Sequence, residues 1–417
     1  MQKPGALPVV LVSFLALALA LPAAAPAQET RGVSVIERPR PDYDPRGLPF
    51  GAFTLKPELQ VGGEYNDNIY ATERDTTSDW ITTVAPRFRL ESDWPRHSLG
   101  LDAGAKAGFY ASEGDENYLD AHVLAKGRAD VVRGSYLQGQ ASFQRLHEER
   151  GDPDTTTDFD EPVVYNRAQF DALAHYGMGR AAVRVGGGYG RFDYQDVDLV
   201  AGGSLSLDHR DMDVYQVNGR LLYELLPNVV PFVSATHEWR RYDEVEPGGI
   251  DRDSNGWRVG LGTGFDLGGV TTGEVFAGYM RQDYKDSRRD DIGGLWYGAT
   301  LLANVTRLTS LELQGQKSVK ETTLAGASGI EALDARVRLD HELLRNLIAG
   351  AFFHFTEDDY EGVDVKDRYY TVGPRLTYLW NRYLSAGLEY AHRTKDSNVS
   401  ARDYSENRFL VSVTGKL

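Results

Sequence analysis

Residues 53–65 read FTLKPELQVGGEY, and their side chains alternate between apolar and polar along the whole stretch. Because successive side chains of a β-strand point to opposite faces, this pattern predicts a strand with one apolar face and one wet face. Strands of globular domains usually have about 5 to 6 residues, so this strand has about twice the ordinary length. The apolar register is Phe53, Leu55, Pro57, Leu59, Val61, Gly63 and Tyr65, and the other holds Thr54, Lys56, Glu58, Gln60, Gly62 and Glu64.

The same alternation recurs in residues 80–92, 98–110, 256–267 and 331–343. In each segment one register is apolar, whereas the other carries charged residues, which indicates that this second face meets water. A strand that crosses a bilayer needs about 9 to 11 tilted residues, with an apolar face toward lipid and a polar face toward a lumen. These segments therefore have the length and the pattern of membrane-spanning strands.

The connectors between the predicted strands alternate between two lengths. Tight turns on one side and long loops on the other are typical of outer-membrane barrels, whose tight turns face the periplasm. A secreted β-sandwich or propeller is the alternative, but it does not explain why alternate connectors differ so consistently in length. The short connectors are 93–97, 132–135, 177–180, 226–229, 344–346 and 381–383, and the long ones are 66–79, 147–162, 195–210, 242–254 and 357–367.

Continuing this pattern to the end of the chain predicts an all-β fold, a transmembrane antiparallel up-and-down β-barrel of about 18 strands, with 16 to 18 compatible with the pattern. Residues 196–207 and 322–330 are ambiguous between strand and loop. A sheet can span hydrocarbon only when it closes, because every backbone polar group must be paired there. Aromatic residues near the strand ends are expected to form interfacial girdles: Tyr65, Trp80, Tyr110, Tyr136, Tyr176, Trp239, Tyr284, Tyr378 and Trp380.

The N-terminal sequence predicts export. Lys3 precedes the apolar run 7–21, and Ala25 and Ala27 form a small-x-small cleavage pattern. The predicted organisation is a signal peptide at 1–27, a periplasmic N-terminal extended segment at 28–52 and an outer-membrane β-barrel at 53–417. An uncleaved membrane anchor is the alternative to the signal peptide. The rest of the chain has no run of eighteen apolar residues, which excludes a helical membrane protein, and it has no cysteine, which excludes disulfides and thiolate chemistry.

Three segments resemble a family of outer-membrane β-barrel porins whose function is not established. They are GGEYNDNIYATE at 62–73, GEVFAGYMRQDY at 273–284, and the longest and most specific, at 294–329. Some members of that family accompany exopolysaccharide synthesis and export. The resemblance implies a barrel in the outer membrane of a Gram-negative bacterium that acts as a pore. It also suggests an exported exopolysaccharide as the solute and polysaccharide export components as partners.

The sequence contains no pattern of residues that indicates catalysis or a cofactor. Its nine histidines have no metal-ligand spacing, and no Ser, His and Asp are marked as a triad. Residues 152–161, DPDTTTDFDE, loosely suggest Ca²⁺, but their spacing is not that of an EF-hand, and a solvated acidic loop is the simpler interpretation. The net charge of −16 argues against nucleic acid. We therefore expect a protein that is not an enzyme, with outer-membrane lipid, lipopolysaccharide and the barrel-assembly machinery as partners.

The polar registers predict an inner wall with charges of both signs. Such residues either line a hydrated channel, where they set a transverse field on passing solutes, or pair with one another in a plugged barrel. About eighteen strands generally leave an aqueous lumen, which favours a porin that passes a hydrophilic solute. The alternative is a non-conducting structural or assembly component of an envelope polysaccharide complex. The predicted pore-lining residues are Lys56, Glu58, Arg87, Arg89, Asp102, Lys106, Arg184, Arg258, Arg336, Arg338 and Asp340.

Overall fold

Eighteen long strands follow one another along the chain in the computed structural model, which describes residues 32–246, 248–400 and 402–417. The predicted signal peptide lies outside the described residues. The strands are β1 (Phe53–Asn66), β2 (Asp79–Ser92), β3 (Ser98–Tyr110), β4 (Tyr118–Val132), β5 (Ser135–His147), β6 (Val164–Met178), β7 (Ala181–Tyr194), β8 (Met212–Tyr223), β9 (Val229–Tyr242), β10 (Ser254–Leu267), β11 (Thr271–Tyr284), β12 (Ile292–Thr306), β13 (Thr309–Lys320), β14 (Gly329–Leu344), β15 (Leu347–Glu361), β16 (Val365–Leu379), β17 (Leu384–Ser397) and β18 (Tyr404–Lys416).

Each strand pairs antiparallel with its neighbours in sequence, and the first strand pairs with the last. Val61 of β1 is opposite Val84 of β2 and also opposite Val413 of β18, so the sheet closes on itself. The prediction of an antiparallel up-and-down barrel is confirmed, and so is its count of eighteen strands. Closure leaves no sheet edge in the membrane, which is the condition for spanning hydrocarbon with strands. No described helix is long and apolar enough to span a membrane.

The two faces of the strands separate as the alternation predicts. On β1, Leu59 and Val61 are exposed, whereas Glu58 and Glu64 of the other register are buried toward the lumen. Cross-strand aromatic pairs lie on the outer face toward the long-loop end, including Tyr65 with Trp80, Tyr189 with Tyr215, and Phe355 with Tyr370.

Three of the nine predicted girdle residues were assigned to the wrong face. Tyr110 lines a lumen cavity, Tyr136 stacks on the inward ring of His175, and Tyr284 is 8% exposed. Each belongs to the lumen-facing register of its strand. Whether a residue has an odd or an even position along its strand therefore predicts its face better than its distance from the strand end.

The connectors form a tight-turn end and a long-loop end. Tight turns such as 133–134, 179–180 and 345–346 alternate with longer loops such as 67–78, 148–163 and 195–211. The predicted long loop at 357–367 is wrong, because β15 and β16 continue through it and leave only residues 362–364 as the connector. The ambiguous segments lie mainly in loops: two-residue strands, Val197–Asp198 and Ser204–Leu205, pair within one of them, and residues 321–328 connect β13 to β14.

Glycines on the inner wall allow aromatic rings to lie flat against it. A Cβ atom on Gly262 would lie 2.3 Å from the Phe232 ring, and one on Gly298 would lie 2.5 Å from the Phe276 ring. Both distances are too short for any side chain larger than hydrogen. These glycines keep the rings of Phe232 and Phe276 close to the wall and out of the centre of the lumen.

Residues 32–47, which we call the N-terminal strap, lie against the inner wall at the tight-turn end. The strap contains one turn of 3-10 helix, Val35–Glu37, and Val35 and Ile36 pack with the inward Ile348 of β15. After the strap, residues Leu48–Phe50 form a short strand paired with the start of β1.

Labelling of introduced cysteines tests the orientation of the barrel. The chain has no native cysteine, and Val200, in a long loop, is 65% exposed, whereas Arg133 lies in an exposed tight turn. With tight turns in the periplasm, a membrane-impermeant maleimide should label Val200→Cys on intact cells and Arg133→Cys only after the outer membrane is permeabilised. Preferential labelling of Arg133→Cys on intact cells would show the opposite orientation.

Candidate functional site

The connector between β5 and β6 does not extend away from the barrel but enters its lumen. We call residues 148–163 the lumen loop. Asp154 Oδ1 accepts hydrogen bonds from Thr322 Oγ1 at 2.8 Å and from the backbone N–H of Thr323 at 2.9 Å. Thr322 follows β13, so eight strands, β6 to β13, separate the two connectors on one side and ten on the other. The lumen loop therefore reaches across the barrel close to its diameter.

An apolar cluster holds the lumen loop on its own side of the barrel. Val163 is 1% exposed and packs with Phe159, Tyr165 and Phe192, and the cluster includes Val197 of the neighbouring loop. Tyr165 and Phe192 belong to the inward registers of β6 and β7, so the cluster lies inside the barrel. Burial of these side chains stabilises the inward position of the loop, at about 1.5 to 3 kcal/mol for each large apolar side chain removed from water.

Two buried ion pairs fix the start of the lumen loop. Glu148 pairs with Arg210 of the loop before β8, with 3.1 Å between Arg210 Nη1 and Glu148 Oε2. Arg150 donates from Nε to Glu116 Oε2 at 2.9 Å, and Glu116 belongs to the loop between β3 and β4. All four side chains are less than 9% exposed. The loop is thus tied to connectors on both sides of its own position.

Four charged side chains meet where the lumen loop contacts the last two strands of the barrel. Glu149 Oε2 lies 3.2 Å from Arg393 Nη1 of β17 and 3.1 Å from Arg408 Nη2 of β18. Glu406 Oε1 lies 2.9 Å from Arg408 Nη2 and 3.6 Å from Arg393 Nη1. We call Glu149, Arg393, Glu406 and Arg408 the central cluster. Because its two carboxylates and two guanidiniums have a formal sum of zero, a single charge-changing substitution gives the cluster a net charge.

The pKa values of two carboxyl groups on the lumen loop are shifted in opposite directions by their surroundings. Burial alone would raise the pKa of Glu149, but the adjacent guanidiniums of Arg408 and Arg393 lower it below its ordinary value. Burial and the charge of Glu149 raise the pKa of Asp152, whose Oδ2 accepts a hydrogen bond from the Glu149 backbone N–H at 3.0 Å. Glu149 therefore carries the negative charge that the central cluster requires.

The lumen loop leaves a cavity on each side of itself. The larger has a volume of about 150 Å³ and the smaller about 50 Å³, and Glu148, Glu149 and Arg408 line both. The larger cavity combines ion-paired charges with apolar surface from Tyr194, Met212, Tyr242, Ile330, Tyr369 and Ala391. A cavity of this kind can admit small polar molecules, and the carboxylates and guanidiniums of its lining can accept hydrogen bonds from them and donate hydrogen bonds to them.

The structure brings six of the predicted pore-lining residues together in pairs. These residues face the lumen from adjacent strands or from one strand. The pairs are Arg89 with Glu58, Arg87 with Asp102 at 2.9 Å, and Arg338 with Asp340 at 3.0 Å.

The other five predicted residues also face the lumen, but they contact residues outside the predicted pore-lining set. Their partners are Glu91 at 2.6 Å for Lys56, the Tyr118 ring at 5.3 Å for Lys106, His175 at 3.2 Å for Arg184, Glu238 at 3.7 Å for Arg258, and Asp334 at 3.2 Å for Arg336. The pore-lining role of all eleven stays a prediction.

Sequence reasoning missed the central cluster. Glu149 was placed in an external loop, because nothing in a polar connector shows whether it turns inward. Glu406 and Arg408 were detectable, since they alternate with the outward Phe409 in the final strand. Among the described residues, no group of three or more His, Asp or Glu side chains is placed to hold a metal ion, and the acidic residues 152–161 are no exception.

Comparison with known proteins identifies the family. Residues 40–417 match the family described as "Putative beta-barrel porin 2". No curated protein matches the sequence.

Solved outer-membrane proteins of Pseudomonas aeruginosa are similar to the chain in structure. OpdO is 17% identical, with 88% of this chain and 97% of that one covered and a TM-score of 0.44. OccK1 (OpdK) is 13% identical, with 87% and 99% covered and a TM-score of 0.46. OccK2 (OpdF) is 12% identical, with 87% and 98% covered and a TM-score of 0.46. With a closed barrel and a family match over most of its length, the chain belongs to this β-barrel porin family of the Gram-negative outer membrane.

Proposed function

We propose that the chain is a passive outer-membrane channel for small hydrophilic solutes, and that the lumen loop is its constriction. The observation that carries the proposal is the central cluster, in which Glu149 of the loop meets Arg393 of β17 and Arg408 of β18. Glu149 and Arg408 line both cavities, so a solute in either cavity meets these charges. Charged side chains at a constriction set the selectivity of a pore.

The inner wall supports a hydrated path toward the constriction. Arg336 faces the lumen and is 43% exposed even though it pairs with Asp334, so its guanidinium is available to solutes and water. Both signs of charge recur around the wall, which suits polar solutes without requiring a net charge on them. The comparisons give no support to the exopolysaccharide that the resemblance implies, and the proposal is therefore limited to small solutes.

A second candidate is the non-conducting structural barrel. It is favoured by the extent to which the lumen is occupied, with the lumen loop across its middle and the N-terminal strap at the tight-turn end. Porins are not enzymes, and the absence of catalysis in this chain stays a prediction, as do its lipid and assembly partners.

Conductance of the purified protein in a planar bilayer tests the proposed function. We expect discrete channels, and we expect Arg336→Glu to shift the reversal potential in a salt gradient toward cation selectivity, because the wall gains negative charge. Arg368→Glu is a matched control, since Arg368 is also 43% exposed but belongs to the outward register of β16. A silent bilayer would favour the structural barrel, and equal shifts from both variants would contradict a lumen path along Arg336.

A further inference from the structure

The N-terminal strap follows the inner wall around much of the tight-turn mouth. The backbone N–H of Gly32 donates to Gly269 O of the turn before β11 at 3.1 Å, and Gly47 lies against the inward Thr54 and Lys56 of β1. Eight strands, β11 to β18, lie between these two contacts. The strap therefore occupies lumen space along nearly half of the circumference of the mouth.

Polar contacts fix the strap to three strands and a turn. The Val35 N–H donates to Ser310 Oγ of β13 at 2.8 Å, and Arg38 donates to Asn304 Oδ1 at 2.7 Å. Arg40 Nη2 lies 2.8 Å from Glu342 Oε2 of β14 and also donates to Val35 O at 2.9 Å. Arg40 ties the strap both to the wall, through its ion pair with Glu342, and to its own turn, through Val35 O, so reversing its charge should weaken the attachment.

The apolar contact of the strap is small by comparison with that of the lumen loop. Val35 and Ile36 share a cluster with Ile348 alone among the buried residues, whereas the lumen loop joins a cluster of nine. Ser34 Oγ and the Nε atoms of Arg38 and Arg40 are buried, and no hydrogen-bond partner is present for them among the described residues. These atoms would regain water if the strap left the wall, which lowers the cost of detachment.

From these contacts we propose that the N-terminal strap is an autoinhibitory element that narrows the tight-turn mouth of the lumen, and that the barrel conducts more when the strap detaches. The strap precedes the barrel strands in the chain. Its detachment would therefore widen the mouth and leave all eighteen strands in place. This inference rests on the proposed channel, but it concerns the tight-turn mouth of the lumen and not the constriction formed by the lumen loop.

Charge reversal at Arg40 tests the strap. Arg40→Glu places two carboxylates together at Glu342, and we expect the single-channel conductance in a planar bilayer to rise at least twofold. Arg46→Glu is the matched control, because it makes the same charge change at an exposed strap residue. The double variant Arg40→Glu with Glu342→Arg restores an opposite-charge pair and should return the conductance to the wild-type value.

A disulfide provides an independent test in the same protein. Val35 N lies 2.8 Å from Ser310 Oγ, so cysteines at these two positions are neighbours, and loss of free thiol on oxidation checks that the disulfide forms; the chain has no other cysteine. In the Arg40→Glu background, oxidation should lower the conductance to the wild-type value and reduction should raise it again. Conducting channels that respond neither to Arg40→Glu nor to the lock would overturn the strap proposal alone, whereas silence of every variant would overturn the proposed channel and the strap together.

Discussion

Leu339→Arg is expected to prevent efficient assembly of the barrel, whereas Arg338→Leu at the neighbouring position should leave it intact. Leu339 is 41% exposed on the outer face of β14, so an arginine there would enter lipid. The cost is about 2 to 4 kcal/mol near the bilayer midplane. Since the free energy of unfolding of many proteins is only about 5 to 15 kcal/mol, this cost is a large part of the total stability.

Arg338 lies in the opposite register and pairs with Asp340 at 3.0 Å. Its loss leaves Asp340 paired with Arg375, so the buried carboxylate keeps a cationic partner, and we expect a smaller cost than that of a charge in lipid. The folded fraction of each variant in lipid vesicles, measured by the faster gel migration of the unheated barrel over a urea series, distinguishes the two. Equal damage from both substitutions would mean that the register of β14 is wrong.

Glu149→Lys is expected to convert the constriction from a neutral cluster to a strongly anion-selective one. Replacing one negative charge by one positive charge raises the formal sum of the central cluster from zero to plus two. The new ammonium would lie beside Arg393 and Arg408, with which Glu149 forms ion pairs in the wild-type protein. The three like charges would then repel one another, so this part of the lumen loop should leave β17 and β18.

We therefore expect two changes in a planar bilayer: a reversal potential shifted toward anions and a single-channel conductance at least twofold higher. Glu161→Lys is the control, since Glu161 is an exposed residue of the same lumen loop and undergoes the same charge change. If both variants give the same selectivity, the central cluster does not control the path of ions.

The alternating segments of the sequence predicted the barrel strands closely, because lipid imposes a strict rule on one face of each strand. The strand predicted at 98–110 has those bounds in the structure, and the one predicted at 331–343 extends to Gly329–Leu344. A polar side chain in the outward register of a lipid-facing segment is costly, so the register is visible in a single sequence.

The failure at residues 357–367 has the opposite cause. Its many acids were interpreted as a solvated loop, but Asp358 is 1% exposed and pairs with Lys320 at 2.7 Å, and Asp367 is fully buried beside Lys395 and Arg402. A charged lumen and a charged loop have the same composition. Only the partners of the charges, which lie on other strands, distinguish them.

The inward position of the lumen loop was equally hidden from the sequence. Glu148, Glu149 and Arg150 follow β5 directly, and their partners lie far away along the chain, in residues such as Glu116, Arg210 and Arg408. No local pattern encodes such distant pairs. The pore-lining residues on the strands could be named because parity alone places them, whereas the constriction depends on contacts that form only in the closed barrel.

The attachment of the lumen loop has a consequence for the order of assembly. Arg393 and Arg408 belong to the last two strands, and they lie 244 and 259 residues after Glu149 in the chain. Contacts between residues so far apart in sequence form slowly, because a long segment must be ordered first. The loop can therefore settle against β17 and β18 only after the C-terminal strands have been added, and protection of residues 148–163 from protease during refolding should report the moment at which the last strands join the first.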